Sequence, residues 1–329
     1  MTILIQKKRT IPLVILILEV LLRRLPLSDP RRPQIFEELN RRKAGFKGEQ
    51  SLDYYFSKLD EKKIMIFHDL NLPDGDYNCQ IDTLILSPEF ALIIEIKNMA
   101  GKLVFDSENG QFFQIIAGKE KGYTDPISQS ERHRDYIKNL LAIHHLPPVP
   151  VDYIVVVSNP YSILEFRKSC TEIKQRVCKA DNFLKRFKFF ENRYSISILD
   201  SKDLRKLTRL LLKLNTPPTN FILKKYGIQK HELLTGVHCP LCFSLPLKRE
   251  KRKWYCPSCD QFSTDAHLYA LQDYFLVMDS KITNKQFRDF IHIQSIDTSK
   301  RLLKSAPLFH FGKYRLMMYY PTTLPWINK

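Results

Sequence analysis

The sequence predicts an α/β fold, and three segments carry this prediction. Residues 35–59 repeat apolar side chains at helical spacing, with Leu52 and Phe56 near one face. The segment "VDYIVVVSN" (151–159) is an unbroken apolar run, which is typical of a strand buried on both faces of a sheet. The segment "QIDTLILSPEFALIIEIKN" (80–98) indicates two more strands around a short turn.

The other elements follow from local patterns along the chain. Gly45 and Gly48 are expected to divide the first helical segment into two helices, because glycine weakens a helix interior. The further predicted elements are a strand at 63–70, a loop at 71–78, a hairpin formed by 102–106 and 110–116, a helix at 126–146, a strand at 195–200 and a helix at 204–214. The proline-containing segment "NTPPTN" (215–220) is the predicted domain boundary.

The composition predicts a folded, strongly basic protein. The chain has 52 Lys and Arg against 35 Asp and Glu, which gives a formal net charge of +17. This excess favours an anionic partner, either nucleic acid or an acidic membrane surface. Hydrophobic residues make up 44% of the chain, so the composition excludes a largely disordered protein.

The N-terminal segment has a basic start followed by the apolar run Ile11–Leu22. Glu19 interrupts the run, Arg23 and Arg24 end it, and no small-residue cleavage site follows, so the segment is not typical of a signal peptide. It is also shorter than the roughly 20 residues of a membrane-spanning helix. We predict a helix after Pro12 that packs on the protein, with attachment to a membrane surface as the alternative. Without a better export signal, we expect a cytoplasmic protein.

Three charged residues interrupt the most apolar stretch of the chain: Asp82, Glu95 and Lys97. If Pro88 and Glu89 form the turn, Asp82 lies directly opposite Glu95, and Lys97 shares the face of Glu95. Opposed like charges destabilise a sheet, because their Cβ atoms are only about 5 Å apart. A divalent cation, Mg²⁺ or Mn²⁺, would relieve this repulsion and would also bind phosphate oxygens. The arrangement therefore predicts phosphodiester cleavage, with Lys97 orienting the attacking water and neutralising charge.

Three motifs resemble the nuclease-related domain, NERD, of the PD-(D/E)xK nuclease superfamily: "AGFKGEQSLDYYF", "QIDTLIL" and "ALIIEIKNMAGKL". The resemblance covers residues 35–146. It implies a central mixed sheet flanked by helices and metal-dependent cleavage of nucleic acid. The site residues that it implies are Glu49 as a helical acid, Asp82 as the strand acid, Glu95 and Lys97 as the ExK pair, and Gln129 as a polar residue on the following helix.

These residues also have a competing, purely structural interpretation. Asp82, Glu95 and Lys97 could form a buried salt-bridge cluster without a metal. Glu49 could be an ordinary exposed helix residue. We expect His133, on the helix after the hairpins, to lie at the protein surface.

The cysteines predict a second metal site. Two CxxC pairs, Cys239 with Cys242 and Cys256 with Cys259, offer four thiolates, which fill the tetrahedral shell of one Zn²⁺. With no coordination position left open, the zinc is expected to be structural and the segment 236–262 to form a zinc ribbon. The alternative is a set of reduced cysteines without metal. Scattered thiols elsewhere favour a reducing compartment over a disulfide framework.

A basic run separates the two cysteine pairs and should form the tip of the ribbon hairpin. We expect this tip and the adjacent aromatic residues to grip phosphates and stack on bases, through Lys251, Arg252, Lys253 and Trp254. The alternative is a charged hairpin that contacts only solvent.

The segment 263–329 resembles a winged helix-turn-helix. Phe287, Phe290 and Ile291 form an amphipathic face, a second helix is expected from Ser295, and "FHFGKYRLMMYY" is typical of a hairpin. The second helix carries groups suited to phosphates and a DNA groove: Ser299, Lys300, Arg301 and Lys304. The alternative is a small helical cap on the zinc ribbon.

Together these features predict four segments: an N-terminal helix (1–34), the nuclease-like domain (35–215), the zinc ribbon (236–262) and the winged helix (263–329). The favoured function is a Mg²⁺-dependent nuclease with C-terminal nucleic-acid-binding modules, acting on DNA in preference to RNA. The alternatives are a non-catalytic nucleic-acid-binding or scaffold protein on the same fold, and a membrane-surface protein.

Overall fold

The structure is a computed structural model. It describes residues 5–60, 64–106, 108–167, 171–216, 222–313 and 317–322. Contacts group the chain into two compact units, here called the sheet unit and the C-terminal unit. The sheet unit comprises Met1–Ile11 and Lys43–Thr219, and the C-terminal unit comprises Pro12–Arg42 and Asn220–Lys329. The four predicted segments stay a prediction, but this grouping separates the first residues of the N-terminal segment from the helix that follows them.

The elements have the following bounds. The strands are β1 (Ile5–Lys7), β2 (Met65–Asp74), β3 (Tyr77–Leu86), β4 (Ala91–Lys97), β5 (Lys102–Asp106), β6 (Gln111–Ile116), β7 (Lys119–Tyr123), β8 (Val151–Val157), β9 (Ile163–Arg167), β10 (Val177–Lys179), β11 (Lys248–Glu250), β12 (Lys253–Cys256), β13 (Gln261–Ser263), β14 (Ile282–Thr283), β15 (Leu308–Phe311) and β16 (Met318–Pro321). The α-helices are α1 (Leu13–Arg24), α2 (Arg32–Ser51), α3 (Asp53–Phe56), α4 (Pro126–Ile143), α5 (Thr171–Arg176), α6 (Phe183–Arg193), α7 (Ser201–Leu214), α8 (Ile222–Lys225), α9 (Ala266–Val277), α10 (Asn284–Ile291) and α11 (Ile296–Lys304).

A six-stranded mixed sheet forms the centre of the sheet unit, in the order β1-β2-β3-β4-β8-β10. The β2–β3 and β3–β4 pairs are antiparallel, whereas β1–β2, β4–β8 and β8–β10 are parallel. Every residue of β8 is buried, as predicted for a central strand. Apolar clusters cover both faces of the sheet, with side chains from α4 and α7 in one and from α3 and α6 in the other. The predicted α/β fold with a mixed sheet between helices is therefore confirmed.

The β3–β4 hairpin has the predicted register. Leu86 pairs with Ala91 and Leu84 pairs with Ile93, so the turn is centred on Pro88 and Glu89. The neighbouring prediction of a loop at 71–78 is wrong. There β2 and β3 continue to the pair Asp74–Tyr77, and Gly75 takes the left-handed conformation (φ +58°) that a tight turn requires.

A second, four-stranded sheet has the order β7-β6-β5-β9. It contains the predicted hairpin, now β5 and β6, and also β7 and β9, which the sequence analysis did not predict. The strand predicted at 195–200 is absent from the described structure. Instead, the amides of Ile198 and Leu199 both donate to the Pro88 carbonyl at 2.9 Å, and Asp200 begins α7 as its N-cap.

Helix α2 is continuous through Gly45 and Gly48, so the predicted division at these glycines is wrong. The reason is tertiary. A Cβ atom at Gly48 would clash with Asn98 Cβ and lie 2.6 Å from Ser158 Oγ, whereas nothing lies within 4 Å of a Cβ at Gly45. Gly48 therefore lets the helix approach the end of β4 closely, and Asn98 secures this approach by donating to the Ala44 carbonyl at 2.7 Å.

The predicted N-terminal helix is α1, and it packs against α9 in the C-terminal unit. Its last residues, Arg23 and Arg24, contact the buried Asp273 at 2.7 Å and 2.8 Å. His238 Nδ1 lies 3.3 Å from the same carboxylate. The prediction that this apolar segment packs on the protein is confirmed. Among the helices in the described part of the chain, none is long and apolar enough to cross a membrane.

The C-terminal unit contains two small antiparallel sheets, β11-β12-β13 and β14-β16-β15. The second sheet combines with helices in the chain order α9, β14, α10, α11, β15, β16. Within it, α10, α11, β15 and β16 follow the helix, helix and hairpin order on which the predicted winged helix-turn-helix is based, and β14 is an additional strand that pairs with β16. The winged helix-turn-helix itself stays a prediction. The described chain includes Gly312 and Lys313, where this hairpin is predicted to turn, and omits residues 314–316.

Candidate active site and metal centres

Asp82 and Glu95 lie where the β3–β4 ladder ends. The last pair of this ladder is Thr83 with Ile94. One residue further, the Asp82 carboxylate accepts a hydrogen bond from the backbone N–H of Ile96 at 2.8 Å. This bond holds Asp82 against β4, while Glu95 is only 2% exposed. The hairpin register thus brings the two predicted metal-binding carboxylates to the same end of the sheet.

Glu95, Lys97 and Gln129 form a closed hydrogen-bonded triangle. The Lys97 ammonium donates to Glu95 Oε1 at 2.6 Å and to Gln129 Oε1 at 3.3 Å. The Gln129 amide in turn donates to Glu95 Oε2 at 3.1 Å. Gln129 belongs to helix α4, and this helix packs on the sheet through a shared apolar core. Glu95, Lys97 and Gln129, three of the predicted site residues, are therefore each hydrogen-bonded to the other two.

Glu49 reaches the site from the last turn of α2. Its carboxylate accepts a hydrogen bond from Arg9 at 2.6 Å, and the same guanidinium lies 3.0 Å from His68 Nδ1 and 3.5 Å from Thr83 Oγ1. The Arg9 side chain is only 5% exposed. Sequence analysis missed Arg9, because nothing in its local sequence shows that β1 pairs with β2 and brings the following residues to the site.

The three carboxyl groups of the site hold protons more tightly than ordinary acids do. Burial, reinforced by the charge of Asp82, raises the pKa of Glu49 to about 8. The same two causes raise the pKa of Glu95 to about 8, although Lys97 opposes them. Burial also raises the pKa of Asp82, against the Ile96 hydrogen bond and the charge of Lys97. Three mutually repelling carboxyl groups thus face two cations, Arg9 and Lys97.

These donors fit a hard divalent cation. Mg²⁺ takes oxygen ligands and is usually held by one or two carboxylates together with water and phosphate oxygens. Asp82 and Glu95 supply such a pair, and a bound cation would favour their ionised forms, which burial now disfavours. Within the described chain, the carboxylate oxygens do not form a set of three converging ligands. The site therefore suits a metal ion that takes two ligands from the protein and leaves its other coordination positions to water and phosphate oxygens.

Two histidines near the site are buried. The prediction that His133 lies at the surface is wrong, since it is 9% exposed and follows Gln129 by one helical turn. Burial, with the charges of Arg132 and Lys97, lowers its pKa to about 4. His68 bonds Thr83 Oγ1 at 3.0 Å, and burial lowers its pKa to about 3. Both imidazoles are therefore neutral at pH 7 and add no positive charge to the site.

The four predicted zinc ligands meet at one point. Their sulfur atoms all lie within 4.8 Å of one another, with Cys239–Cys259 at 3.7 Å and Cys242–Cys256 at 3.5 Å. A tetrahedral zinc site with Zn–S bonds of about 2.3 Å has S–S separations of about 3.8 Å. Disulfide sulfurs would be about 2.05 Å apart. The geometry fits one Zn²⁺ and excludes disulfides in this arrangement.

The side chains predicted to bind nucleic acid are exposed, with two exceptions. Lys251, Arg252 and Lys253 form the exposed tip between β11 and β12, and Lys300 and Arg301 are exposed on α11. The first exception is Trp254, which is 1% exposed and packs in the core of the C-terminal unit, so the prediction that it stacks on bases is wrong. The second exception is Ser299, which is fully buried and bonds the Ile296 carbonyl.

Comparison with known families identifies one match. The model of the nuclease-related domain, NERD, matches residues 44–158. The resemblance inferred from the motifs is therefore confirmed over this stretch, which includes Glu49, Asp82, Glu95, Lys97 and Gln129 but not Arg9. No curated protein and no solved structure shows a significant match to the chain.

Proposed function

We propose that this chain, with its nuclease-related domain, is a metal-dependent nuclease that hydrolyses phosphodiester bonds in nucleic acid. The observation that carries the proposal is the group formed by Asp82, Glu95, Lys97 and Gln129 at the end of an apolar sheet. A purely structural salt bridge needs one acid and one base. Here three carboxyl groups share two cations, Arg9 and Lys97, and the raised pKa values of Glu49 and Glu95 mean that ionising all three costs free energy unless a further cation is bound.

The residues of the site have distinct roles in this proposal. Asp82 and Glu95 would hold Mg²⁺ or Mn²⁺, which when bound acidifies a water molecule and stabilises the developing negative charge. Lys97 orients the attacking water and offsets charge on the phosphate, since its ammonium already lies between Glu95 and Gln129. Gln129 fixes the orientation of the Glu95 carboxylate. Glu49, held by Arg9, adds a further carboxylate next to Asp82.

The nucleic-acid partner is supported by charge and by the C-terminal unit. The chain carries a net charge of +17, and the ribbon tip and α11 expose lysines and arginines. The winged helix-turn-helix order favours DNA over RNA, because such modules place their second helix in the major groove of duplex DNA. The four cysteines would bind a structural Zn²⁺ that orders the ribbon.

The test is cleavage of a panel of single- and double-stranded DNA and RNA with Mg²⁺ or Mn²⁺. The parent chain should cut at least one substrate, and Asp82→Ala should reduce cutting to background while keeping affinity for nucleic acid. The matched control is Asp76→Ala, which removes an exposed carboxylate from the turn between β2 and β3. Binding by the parent without any cleavage would favour the non-catalytic scaffold instead. Equal cleavage by the parent and Asp82→Ala would refute the site assignment.

A further inference from the structure

Arg249 in the ribbon has an environment unlike that of the other buried arginines of the C-terminal unit. Arg23 and Arg24 both contact the carboxylate of Asp273. The half-buried Arg249 has no carboxylate within salt-bridge distance in the described chain, and its Nη1 atom is buried without a hydrogen-bond partner there. Buried charges are normally paired, so this partly buried and unpaired guanidinium is available to bind an anion from outside the chain.

The guanidinium of Arg249 is held in place by an aromatic platform. Arg249 pairs with Trp254 across the β11–β12 ladder, and its guanidinium carbon lies 4.7 Å from the centre of the indole. Trp254 stacks in turn on the ring of His267 at 6.4 Å, and His267 Nε2 lies 3.2 Å from Ser305 Oγ just after α11. The buried Trp254 therefore orients an arginine, although it cannot stack on a base. This platform limits the rotamer freedom that Arg249 would lose on binding a ligand.

A second unpaired guanidinium lies nearby. Arg301 is exposed on α11, one helical turn before Ser305, the residue that contacts His267 of the platform. After burial, the charge of Arg301 also contributes to lowering the pKa of Arg249. In the described chain, Arg301 bonds only the Thr298 hydroxyl, at 3.4 Å. The acidic group whose charge reaches His267 is Asp265, which is exposed and accepts a hydrogen bond from Ser263 at 2.7 Å. Within the described residues, neither guanidinium has a carboxylate within salt-bridge distance, so both are available to an anion from outside the chain.

We propose that Arg249 and Arg301 form a binding site for a backbone phosphate of nucleic acid, with Trp254 and His267 as positioning residues for Arg249. The phosphate would remove the repulsion between the two guanidinium groups and accept their planar forks of N–H donors. A phosphodiester is the anion we assign to this pair, because the proposed function makes nucleic acid the partner and its backbone phosphates are the charged groups that it presents. The zinc ribbon and the second helix of the winged module would then bind the same phosphate. This inference rests on the proposed function only in taking nucleic acid as the partner.

The experiment measures binding in the Asp82→Ala background without added Mg²⁺, so that cleavage cannot interfere. Fluorescent duplex DNA and duplex RNA are titrated at several NaCl concentrations with the parent, Arg249→Gln, Arg301→Gln and the double variant. Each single change should weaken binding about 10–100-fold, as expected for loss of a charge-assisted hydrogen bond. Because both arginines would neutralise the same phosphate, the double variant should reduce the log–log salt slope on duplex DNA by about 0.9, and each single change should reduce it by no more than that. Lys230→Gln, which removes an exposed charge from the same unit, is the control. It should change both the affinity and the salt slope less than the arginine variants do.

Arg249→Lys separates positioning from charge. It keeps the positive charge but loses the planar fork and the stacking on Trp254, so affinity should fall several-fold while the salt slope stays close to that of the parent. Zinc content and melting temperature are measured for every variant, because Arg249 also contacts the core. The exposed Arg301 provides the independent arm: if Arg301→Gln binds like the parent, the site is refuted even if Arg249→Gln binds weakly.

Free phosphate is the other source of the same chemistry. A thermal-shift titration with inorganic phosphate at constant ionic strength tests this source on the same variants. If phosphate stabilises the parent but not the arginine variants, while all bind DNA and RNA equally, the assignment to nucleic acid is refuted. A parent that binds no nucleic acid also refutes this site. The nuclease proposal is tested separately, by measuring cleavage with the chain that keeps Asp82. Its failure would be the absence of cleavage there.

Discussion

Replacing Glu95 by Gln should stabilise the metal-free sheet unit, and increasingly so as the pH rises. In the folded chain, burial and the charge of Asp82 raise the pKa of Glu95 from 4.5 to about 8. The unfolded chain releases this proton near pH 4.5, whereas the folded chain keeps it until about pH 8. The stability of the parent therefore falls as the pH rises between these values, by about 1.4 kcal/mol per pH unit.

The variant lacks this titration, so the two proteins diverge with pH. From about pH 5 to about pH 7.5, the free energy of unfolding of Glu95→Gln should gain about 3 kcal/mol relative to the parent. The glutamine oxygen can still accept the hydrogen bond that Lys97 donates to Glu95 Oε1. A weaker hydrogen bond from Lys97 would change the stability difference between variant and parent by nearly the same amount at every pH in this range. The quantity to measure is therefore how that difference changes with pH.

The assay is hydrogen exchange of the amides in β4 and β8, followed by mass spectrometry without added divalent metal. These central strands report on the opening of the sheet unit alone. Glu120→Gln, on the exposed strand β7, removes the same charge from an exposed position and sets the baseline. A difference between Glu95→Gln and the parent that stays constant with pH would refute the argument that the site stores electrostatic repulsion.

Three further predictions concern packing, ion pairing and zinc. Gly48→Ala should destabilise the sheet unit by about 1–3 kcal/mol in urea unfolding, because its Cβ would overlap Asn98. Gly45→Ala, in the same helix with open space around it, should stabilise by up to about 1 kcal/mol, and equal effects at both glycines would contradict this packing. Asp273→Ala should lower the free energy of unfolding of the C-terminal unit by about 3–5 kcal/mol, because it leaves Arg24 charged and buried. A loss below about 1 kcal/mol would exclude the ion pair as a stabilising contact. Elemental analysis should find one Zn²⁺ per chain, lost in a Cys239→Ser/Cys256→Ser variant, and chelation should unfold the ribbon but spare cleavage once Mg²⁺ is restored.

Local sequence was sufficient for features that depend on periodicity or on ligand type. The alternation of side chains along a strand and the short turn at Pro88 placed Asp82 near Glu95, and the register of β3 and β4 agrees. The unbroken apolar run of β8 required burial on both faces. The paired CxxC knuckles are close in sequence, so their convergence followed from ligand chemistry alone.

Features that depend on contacts between distant segments could not be predicted in this way. Glycine is unfavourable in an isolated helix, but Gly48 is required where α2 meets Asn98, and that contact forms only in the folded chain. Trp254 beside a basic run is typical of a base-stacking residue, yet the ribbon turns it into the core, where it supports Arg249.

The nuclease-like site shows the same division. The sequence by itself determined its carboxylates, its lysine and the oxygen-rich chemistry suited to Mg²⁺, because these follow from residue types on two adjacent strands. Only the tertiary structure decided how that charge is balanced. Arg9 reaches Glu49 because a strand from the N-terminus pairs with β2, a contact between residues far apart in the chain. Burial of Glu95 by the assembled sheet, together with the charge of Asp82, then raises its pKa.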